Sequence, residues 1–581
     1  MTRARAVAEN SASIAALSAM SALPLIAIVA RRLGVSGIPG STVFVQNLTL
    51  WVALLGAALA ARSDRLLSLS TSAFLPEKRR PQARVFTAAV GAAVAMCLAW
   101  ASLSLVRVER QAGAVLAAGI PEWVALAVMP VGFALIAVRV AWGASTAWTG
   151  RGVAALGLLL PAVLGAAPFL QRSWVLAPGL LVFVAATILG LPVFAVLGGL
   201  ALFFFWNGAV PIAAVPVEMN RLVASPMLPS IPLFTFAGYL LAEGGASRRL
   251  LRVFTALFGW LPGGLAVVTA TVCAFFTITG SGVTILSLGW LMLPILLKAR
   301  YPERFSIGLL TASGSLGLLF PPSLPVILYG VSAQIPIDRL FIAGFVPGLL
   351  LVTLASAWGI RQALRSGAGR AVFCWREAAN SLWEAKWEMA LPLLVLAGLF
   401  GGFATLVETA ALTVLYAFVV ECFIYRDLSL RRDYARVAVE CATVVGGVLI
   451  ILGLAMGLTN YLVQIEAPMR LVACVRAYIH SKFVFLLLLN VFLLVVGALM
   501  DIFAAIIVVV PLIAPLGAVF GVDPVQLGII FLANLELGYL TPPVGMNLFL
   551  AAYRFEQPVV RLEFDRTHLR AVPDFFAPEI L

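Results

Sequence analysis

The chain has 581 residues, of which 62% are hydrophobic and only 11% are charged. An ordinary soluble protein carries about 25% charged residues, so this composition excludes an ordinary soluble fold. Long apolar runs recur along most of the chain. They predict an all-α polytopic membrane protein, and their continuity disfavours a transmembrane β-barrel.

The net charge of +13 is carried largely by short segments between the apolar runs. This distribution is typical of the positive-inside pattern of membrane proteins, and we expect no nucleic-acid partner. The six cysteines form no C-x-x-C pair, and His480 and His568 have no partner at ligand spacing. Buried, inert thiols and no bound cofactor are therefore expected.

Residues 1–150 are predicted to form a four-helix membrane domain, with spans at 11–30, 43–62, 84–106 and 123–146. Six basic residues between the second and third spans place that loop and the N-terminus in the cytoplasm. A cleaved signal peptide is the alternative for the first run, but the run ends at Arg31-Arg32 without a clear small-residue cleavage site. A further apolar run at 153–170 predicts a connecting helix within residues 151–174.

The next predicted segment, residues 175–360, begins with two short apolar runs at 176–190 and 191–206 and a third at 230–246. The first two runs are interpreted as two crossings, with a single span as the alternative. An apolar stretch at 262–297 has G-S-G at its middle and basic residues at both ends. This predicts a re-entrant hairpin with its tip near 280–284, with two full crossings as the alternative.

A broken helix over 305–333 and a span over 340–360 complete this half. Residues 361–388 alternate basic and aromatic side chains, which favours an amphipathic arm at the cytoplasmic interface; a solvated linker is the alternative. The last predicted segment, residues 389–581, contains the remaining elements. They are spans at 389–405, 408–425 and 438–458, a second hairpin at 483–520 and a second broken helix at 525–553, which returns the chain to the cytoplasm.

One short pattern occurs twice, as G-L-L-F-P-P at 317–322 and G-Y-L-T-P-P at 538–543. The two copies are 221 residues apart, and the offset holds for about fifty residues without a gap. A proline pair removes backbone donors and breaks a helix, which hydrocarbon tolerates only where the freed groups line a cavity or bind a ligand. The topology count gives the two copies opposite orientations, so we predict an inverted-repeat transport domain with its binding site at the breaks.

Asp501 is the clearest functional candidate, because a charge at bilayer depth costs at least about 2.5–3.5 kcal/mol and needs a partner or a role. It lies at the predicted tip of the second hairpin, and a coupling-ion role is favoured over a structural cap. Glu536 could complete the same site or pair with a basic group elsewhere. Glu408 begins a span and is interpreted as a helix-start carboxylate.

Neutral oxygens cluster at the two breaks, in Ser281, Thr284, Ser313, Ser315, Ser323, Asn534, Thr541 and Asn547. Together with freed carbonyls and one carboxylate, they form a set that suits sodium. The N-termini of the half-helices would favour an anion.

Five segments carry a resemblance to a known family: P-L-F-T-F-A-G (232–238), W-L-P-G-G-L-A (260–266), G-L-L-F-P-P-S-L-P-V-I-L-Y-G (317–330), V-E-T-A-A-L-T-V-L-Y (407–416) and N-L-E-L-G-Y-L-T-P-P-V-G-M-N-L-F (534–549). They resemble the large membrane subunit of tripartite ATP-independent periplasmic (TRAP) transporters over roughly residues 175–555. Residues 1–150, and W-V-A-L-L-G-A-A-L-A-A-R (51–62) above all, resemble the small subunit more weakly. The chain would then fuse the two subunits.

The resemblance implies a sodium-driven elevator in the bacterial cytoplasmic (inner) membrane, with both termini cytoplasmic. A periplasmic substrate-binding protein would deliver a small organic acid carrying a carboxylate. The sodium-site residues implied by this resemblance are Ser281, Gly282, Ser315, Gly317 and Pro321 in one half and Asp501, Asn534, Gly538, Thr541 and Pro542 in the other. Thr284, Ser323, Glu536 and Asn547 are the candidates for substrate binding.

Three alternative functions fit the sequence less well. A binding-protein-independent sodium/dicarboxylate symporter of related architecture is the alternative within transport, but the four-helix N-terminal domain disfavours it. A membrane enzyme would need paired histidines, a metal or quinone constellation, or a nucleophile with a base, and the sequence offers none. A passive channel fits inverted hairpins less well than alternating access does.

The predicted inversion of the two hairpins can be tested by labelling. Cysteines introduced as Lys298→Cys and Asp523→Cys should react with a membrane-impermeant reagent from opposite faces, because the positive-inside pattern places the two return ends on opposite sides. Labelling of both positions from the same side would contradict the inverted arrangement.

Overall fold

The computed structural model describes residues 3–35, 37–68, 76, 79–162, 173–276, 281–367, 369, 372–430, 432–500, 502–541 and 545–555. In these ranges the regular structure is helical, which confirms the predicted all-α class. Extended segments within them pair at two isolated bridges, Ser68 with Pro192 and Val115 with Pro121.

The helices of the first part follow the predicted runs closely. They are α1 Arg3–Leu33, α2 Ser41–Arg62, α3 Arg80–Ala112, α4 Glu122–Leu126, α5 Val128–Gly143, α6 Trp148–Leu156, α7 Ser173–Ile188, α8 Val193–Asn207, α9 Ala214–Val223, α10 Ser230–Glu243, α11 Ala246–Phe258, α12 Gly264–Phe276 and α13 Ser281–Lys298. The predicted split near residue 190 is present, because Gly190 has φ of 95° and Pro192 precedes α8. Of the predicted run at 153–170, residues 163–170 lie outside the described residues.

The second part contains the remaining helices. They are α14 Glu303–Ser313, α15 Leu324–Ala333, α16 Ile337–Ser366, α17 Trp375–Glu384, α18 Lys386–Phe400, α19 Leu406–Val419 with a π-helical turn at Val420–Ile424, α20 Asp433–Gln464, α21 Ala467–Tyr478, α22 Lys482–Leu499, α23 Ile502–Val519, α24 Pro524–Gly538 and α25 Met546–Phe555. Both broken helices are present, as α14 with α15 and as α24 with α25.

The range predicted as one amphipathic arm, 361–388, does not form one helix. Its first residues continue α16, its last residues begin α18, and α17 alone is a separate short helix. The helices α9, α11 and α21 were not anticipated, because they are short and carry charges within the span of one or two turns. An interfacial position for the arm stays a prediction.

Seven helices among the described residues are long and apolar enough to cross a membrane, by length and composition. They are Val7–Leu33, Ser41–Arg62, Arg80–Ala112, Glu122–Gly143, Ile337–Ser366, Leu406–Ile424 and Asp433–Gln464. Helix α12 has 13 residues, which span about 20 Å against a hydrocarbon core of about 30 Å. This length favours a re-entrant hairpin over two full crossings.

The chain divides into two compact units. One contains residues 1–233, 435–474 and 507–513, and the other contains residues 234–434, 475–506 and 514–581. Helix α20 is the centre of the first unit: 89% of its most apolar window is buried, against 28% for α16 in the second unit. The predicted boundaries at residues 150, 174, 360 and 388 stay predictions.

The N-terminal helices are held to α20 by direct backbone contact. A Cβ atom added to Gly56 of α2 would lie 1.9 Å from the carbonyl oxygen of Ala442, and one added to Gly446 would lie 2.4 Å from the nitrogen of Ala57. Small residues at helix crossings allow this approach in membranes, where packing rather than the hydrophobic effect joins helices. Helix α2 of the N-terminal segment is therefore packed onto a helix that begins 371 residues after α2 ends, at Asp433 against Arg62 (433 − 62).

Replacing Gly446 by alanine should force α2 and α20 apart, since the added methyl group meets main-chain atoms that cannot rotate away. We expect a loss of about 1–3 kcal/mol, measured as a lower melting temperature of the solubilised protein. Gly447→Ala is the matched control, because a Cβ atom there meets nothing within 4 Å. Equal melting temperatures for the two variants would contradict the crossing.

Candidate functional site

The helix boundaries repeat with the 221-residue offset seen in the sequence. Helix α13 (Ser281–Lys298) corresponds to α23 (Ile502–Val519) at both ends, and Glu303, the start of α14, corresponds to Pro524, the start of α24. Leu324, which begins α15, falls one residue before the equivalent of Met546, which begins α25. The sequence duplication is therefore also a duplication of helices. It includes α13 and α23, which follow the two predicted hairpin tips, and both broken helices.

The two broken helices exchange their second halves. Asn547 of α25 donates from Nδ2 to the carbonyl oxygen of Thr311 in α14 at 3.2 Å, and the neighbouring Leu548 packs on Ala312. In the equivalent contact, Tyr329 of α15 lies with its ring 5.7 Å from that of Phe531 in α24. Each second half thus packs on the first half of the other repeat.

In the second repeat, the helix before the hairpin tip touches the broken helix at two glycines. A Cβ atom on Gly538 would lie 2.5 Å from the Cα atom of Gly497 in α22. Seven residues earlier in α22, Asn490 accepts from Nδ2 of Asn534 at 2.6 Å. The same Nδ2 also donates to the carbonyl oxygen of Ile530, so both amide protons of Asn534 are used and its Oδ1 remains to accept a donor or a cation.

The residue after Gly538 holds the start of the hairpin's return helix. The hydroxyl of Tyr539 accepts from the N–H of Ile502, the first residue of α23, at 3.2 Å. Asp501, the leading candidate for cation binding, comes directly before Ile502 but lies outside the described residues, as does Pro542. The structure thus gives the framework beside Asp501 and leaves its role a prediction.

The remaining second-half candidates are on or near the break. Thr541 donates from its hydroxyl to the carbonyl oxygen of Leu537 at 2.8 Å, which leaves the oxygen lone pairs available. Glu536 is 4% exposed and its Oε1 has no hydrogen-bond partner among the described residues. The sequence left two roles open for Glu536: completing the binding site or pairing with a basic group. Among the described residues, Glu536 forms no ion pair with a basic group.

The first-half candidates lie in the corresponding elements of the first repeat. Ser281 and Gly282 are the first two residues of α13, and Thr284 is buried in the same turn. The turn between α14 and α15 contains the rest, Ser315, Gly317, Pro321 and Ser323, with Ser323 at the N-cap of α15. Ser315 donates to the carbonyl oxygen of Ala312 at 3.3 Å and is buried.

Buried oxygens at the breaks are left without partners. Among the described residues, those that accept or donate no hydrogen bond include Ser313 Oγ, Ser323 Oγ, Glu536 Oε1 and Asn547 Oδ1. A buried polar atom without a partner costs about 1–3 kcal/mol, and such atoms are rare away from sites of function. Such atoms also occur elsewhere, as at Ser102 Oγ and Thr409 Oγ1, so it is their coincidence with the two helix breaks that makes this region the candidate binding site.

Sequence reasoning missed residues whose partners are distant in the chain. Asn490 was detectable only as the one amide in the apolar run 482–499, and Tyr539 gave no signal. Arg249 was used only to count crossings, yet its guanidinium hydrogen bonds Glu388, Glu421 and Asp427. This cluster joins α11 to α18 and to the π-helical turn after α19.

The described helices, two of them broken within an apolar protein, define a multi-pass membrane transport protein. Comparison with known families gives the finer class. Residues 180–574 match the tripartite ATP-independent periplasmic transporter, DctM component, and residues 20–150 match the DctQ component. The chain therefore belongs to the tripartite ATP-independent periplasmic (TRAP) transporter family and carries both permease components in one polypeptide.

Relatives with both and with single components are similar to this chain. The isethionate TRAP transporter permease protein DctMQ of Oleidesulfovibrio alaskensis is 34% identical over 83% of this chain and 80% of its own length. The C4-dicarboxylate TRAP transporter large permease protein DctM of Vibrio cholerae is 29% identical over 63% of this chain and 86% of its own. The ectoine/5-hydroxyectoine large permease protein UehC of Ruegeria pomeroyi is 30% identical over 60% and 80%.

Among solved structures, the Alcanivorax borkumensis YdaH transporter aligns with 57% of this chain and 79% of its own. The identity is 17% and the TM-score is 0.39.

The Asn490–Asn534 hydrogen bond should contribute measurably to stability. Asn490→Ala leaves the buried amide of Asn534 short of one acceptor, which costs about 1–3 kcal/mol and should lower the melting temperature of the solubilised protein. Leu488→Ala is the control, since Leu488 is 48% exposed on the same helix and exposed substitutions usually stay within about 0.5 kcal/mol. Equal destabilisation by both variants would contradict a specific role for the amide pair.

Proposed function

We propose that this chain is the permease of a sodium-coupled secondary transporter that imports a small organic acid. The substrate is delivered by a periplasmic substrate-binding protein, and transport follows an elevator mechanism in the bacterial inner membrane, with both termini in the cytoplasm. The observation that carries the proposal is the pair of broken helices that exchange their second halves and leave buried oxygens without partners.

Sodium coupling is supported by the chemistry of the oxygens at the breaks. Sodium binds oxygen ligands, and the breaks offer hydroxyls, an amide oxygen and carbonyl groups outside regular helix. Asn534 and Thr541 both direct their protons to other partners and retain free lone pairs. Asp501 supplies the negative charge of the second site, with Gly538 and Pro542 shaping the backbone beside it. Ser281, Gly282, Ser315, Gly317 and Pro321 form the equivalent set without a carboxylate.

Two observations support a small organic acid as the substrate: the helix N-termini at the breaks and the substrates for which the relatives are named. The N-terminus of α15 begins at Ser323 and that of α25 begins beside Asn547, and helix N-termini favour anions. The relatives are named for isethionate, C4-dicarboxylates and ectoine. Thr284, Ser323, Asn547 and Glu536 are the proposed contacts, with Glu536 bridging the substrate region and the cation region.

The elevator division assigns the hairpins and broken helices to a mobile transport domain. The N-terminal segment belongs to the stationary part, a role supported by its backbone contact with α20 in the first unit. The match of residues 20–150 to the DctQ component also disfavours the binding-protein-independent symporter.

Uptake by proteoliposomes tests the coupling-ion assignment. With the partner binding protein and its substrate supplied, Asp501→Asn should abolish sodium-dependent uptake because the site loses its carboxylate charge, while expression and solubility stay normal. The matched control is Asp338→Asn, which neutralises an exposed carboxylate at the start of α16 and should leave uptake unchanged. Unaltered sodium dependence in Asp501→Asn would refute the assignment. Equal uptake without any binding protein would favour the symporter instead.

A further inference from the structure

A cavity of about 350 Å³ lies beside α11, outside the transport site. One wall is α11, with Arg248, Leu251 and Arg252; the others are the last turn of α13, at Ile295, and the segment from Val372 to Glu377 that leads into α17. All of these residues belong to the second unit. The lining is therefore basic at one end and mostly apolar elsewhere.

The two arginines of the cavity differ in their partners. Arg252 donates from Nε to Glu377 Oε1 at 2.7 Å and also pairs with Glu384. The Arg252 guanidinium lowers the pKa of the Glu377 carboxyl below its ordinary value by hydrogen bonding, so Glu377 stays ionised and the charge of Arg252 is fully compensated by its two carboxylates. Arg248 is exposed, and its guanidinium makes no hydrogen bond or ion pair with any residue that the structure describes. The cavity thus keeps one guanidinium without a direct partner.

The surroundings of the cavity are those of a membrane interface. Trp260 packs edge-on against Phe373 at 6.2 Å, and Phe373 lies 6.2 Å from Trp375. These three rings are substantially exposed, at 47%, 43% and 76%. Exposed tryptophan in a multi-pass protein is typical of the headgroup level of the bilayer. The exposed rings therefore predict that the Arg248 guanidinium lies at the depth where lipid phosphates occur.

We propose that this cavity binds the headgroup of an anionic phospholipid from the surrounding bilayer. The Arg248 guanidinium pairs with a lipid phosphate oxygen, in the planar, charge-assisted geometry that arginine offers to phosphate. The apolar side chains of Leu251, Ile295 and Val372 receive the start of an acyl chain. A dissolved phosphate would satisfy the arginine but not the apolar lining, which is why the lipid is the expected source.

The site also has a structural consequence. It is formed by three parts of the chain: α11, α13 and the segment that leads into α17. Ion pairs of Arg252 with Glu377 and Glu384 join α11 to α17, and the N–H of Gly369 donates to the carbonyl oxygen of Ala299, directly after α13. A lipid bound between these parts stabilises the arm against the return helix of the first hairpin. Bound lipid should therefore raise the thermal stability of the whole chain.

The test compares three probes on the full chain in a neutral detergent. Phosphatidylglycerol should remain bound in native mass spectra and raise the melting temperature, while phosphatidylcholine and inorganic phosphate at equal concentration should do neither. Arg248→Gln should weaken retention of phosphatidylglycerol about tenfold, the loss expected for one charge-assisted hydrogen bond. Arg365→Gln is the control, since Arg365 is an exposed arginine without a described partner in the last turn of α16.

The possible outcomes distinguish a lipid site from a simple phosphate site and from non-specific binding. Stabilisation by inorganic phosphate equal to that by phosphatidylglycerol would replace the lipid site with a simple anion site. Equal retention of phosphatidylcholine, or equal weakening by Arg365→Gln, would show a non-specific surface and overturn the proposal. Arg248→Lys keeps the charge and should therefore recover part of the phosphatidylglycerol retention. Without lipid, the melting temperatures of Arg248→Lys and Arg248→Gln should be equal. A melting temperature lowered only in Arg248→Gln would show that the lost retention comes from misfolding, and it would refute a binding role.

Discussion

The structure depends on how backbone polar groups are satisfied where helices stop inside an apolar protein. In the sequence, a proline pair follows α14 and another follows α24, 221 residues apart, and hydrocarbon offers no partner to the backbone groups that such a pair frees. In the structure, the two broken helices pack against each other: α25 lies on α14, and α15 lies on α24. Because each break is covered by the repeat that did not produce it, neither half of the duplication forms a complete site alone.

Close backbone contact is the second constraint. Gly497 meets Gly538 in the second repeat, and Gly56 meets Gly446 in the first unit. At both places a single methyl group would separate two main chains, so glycine is required by space rather than by a special φ angle. The first contact brings a hairpin helix against a break, and the second joins the DctQ-like helices to the DctM-like part. A pair of glycines at a helix crossing thus fixes the geometry beside the second break and also joins the two permease components.

Charge is used in two different ways in the second unit. Arg249 is enclosed by Glu388, Glu421 and Asp427 and by the ring of Tyr425, whose centroid lies 3.6 Å from its Cζ atom. An enclosed arginine with several acceptors fixes the elements that supply them, and removing one partner of such a pair is strongly destabilising. Arg248, its neighbour in the chain, lines the cavity beside α11, and its guanidinium has no partner among the described residues. Adjacent residues of one helix thus hold the fold and offer a binding contact.

The sequence alone determined the class, the positions of most helices and the 221-residue duplication, because apolar run length and proline pairs are local signals. It placed Asn534, Thr541 and Ser323 at the breaks, where they lie. It failed at residues 361–388, because alternating basic and aromatic residues do not show where one helix ends and the next begins. Only the tertiary structure decided that Asn547 meets Thr311, that Asn490 pairs with Asn534 and that Tyr539 holds Ile502. The physical reason is that these contacts join residues tens to hundreds of positions apart, and packing between helices, which no local pattern encodes, selects which of them touch.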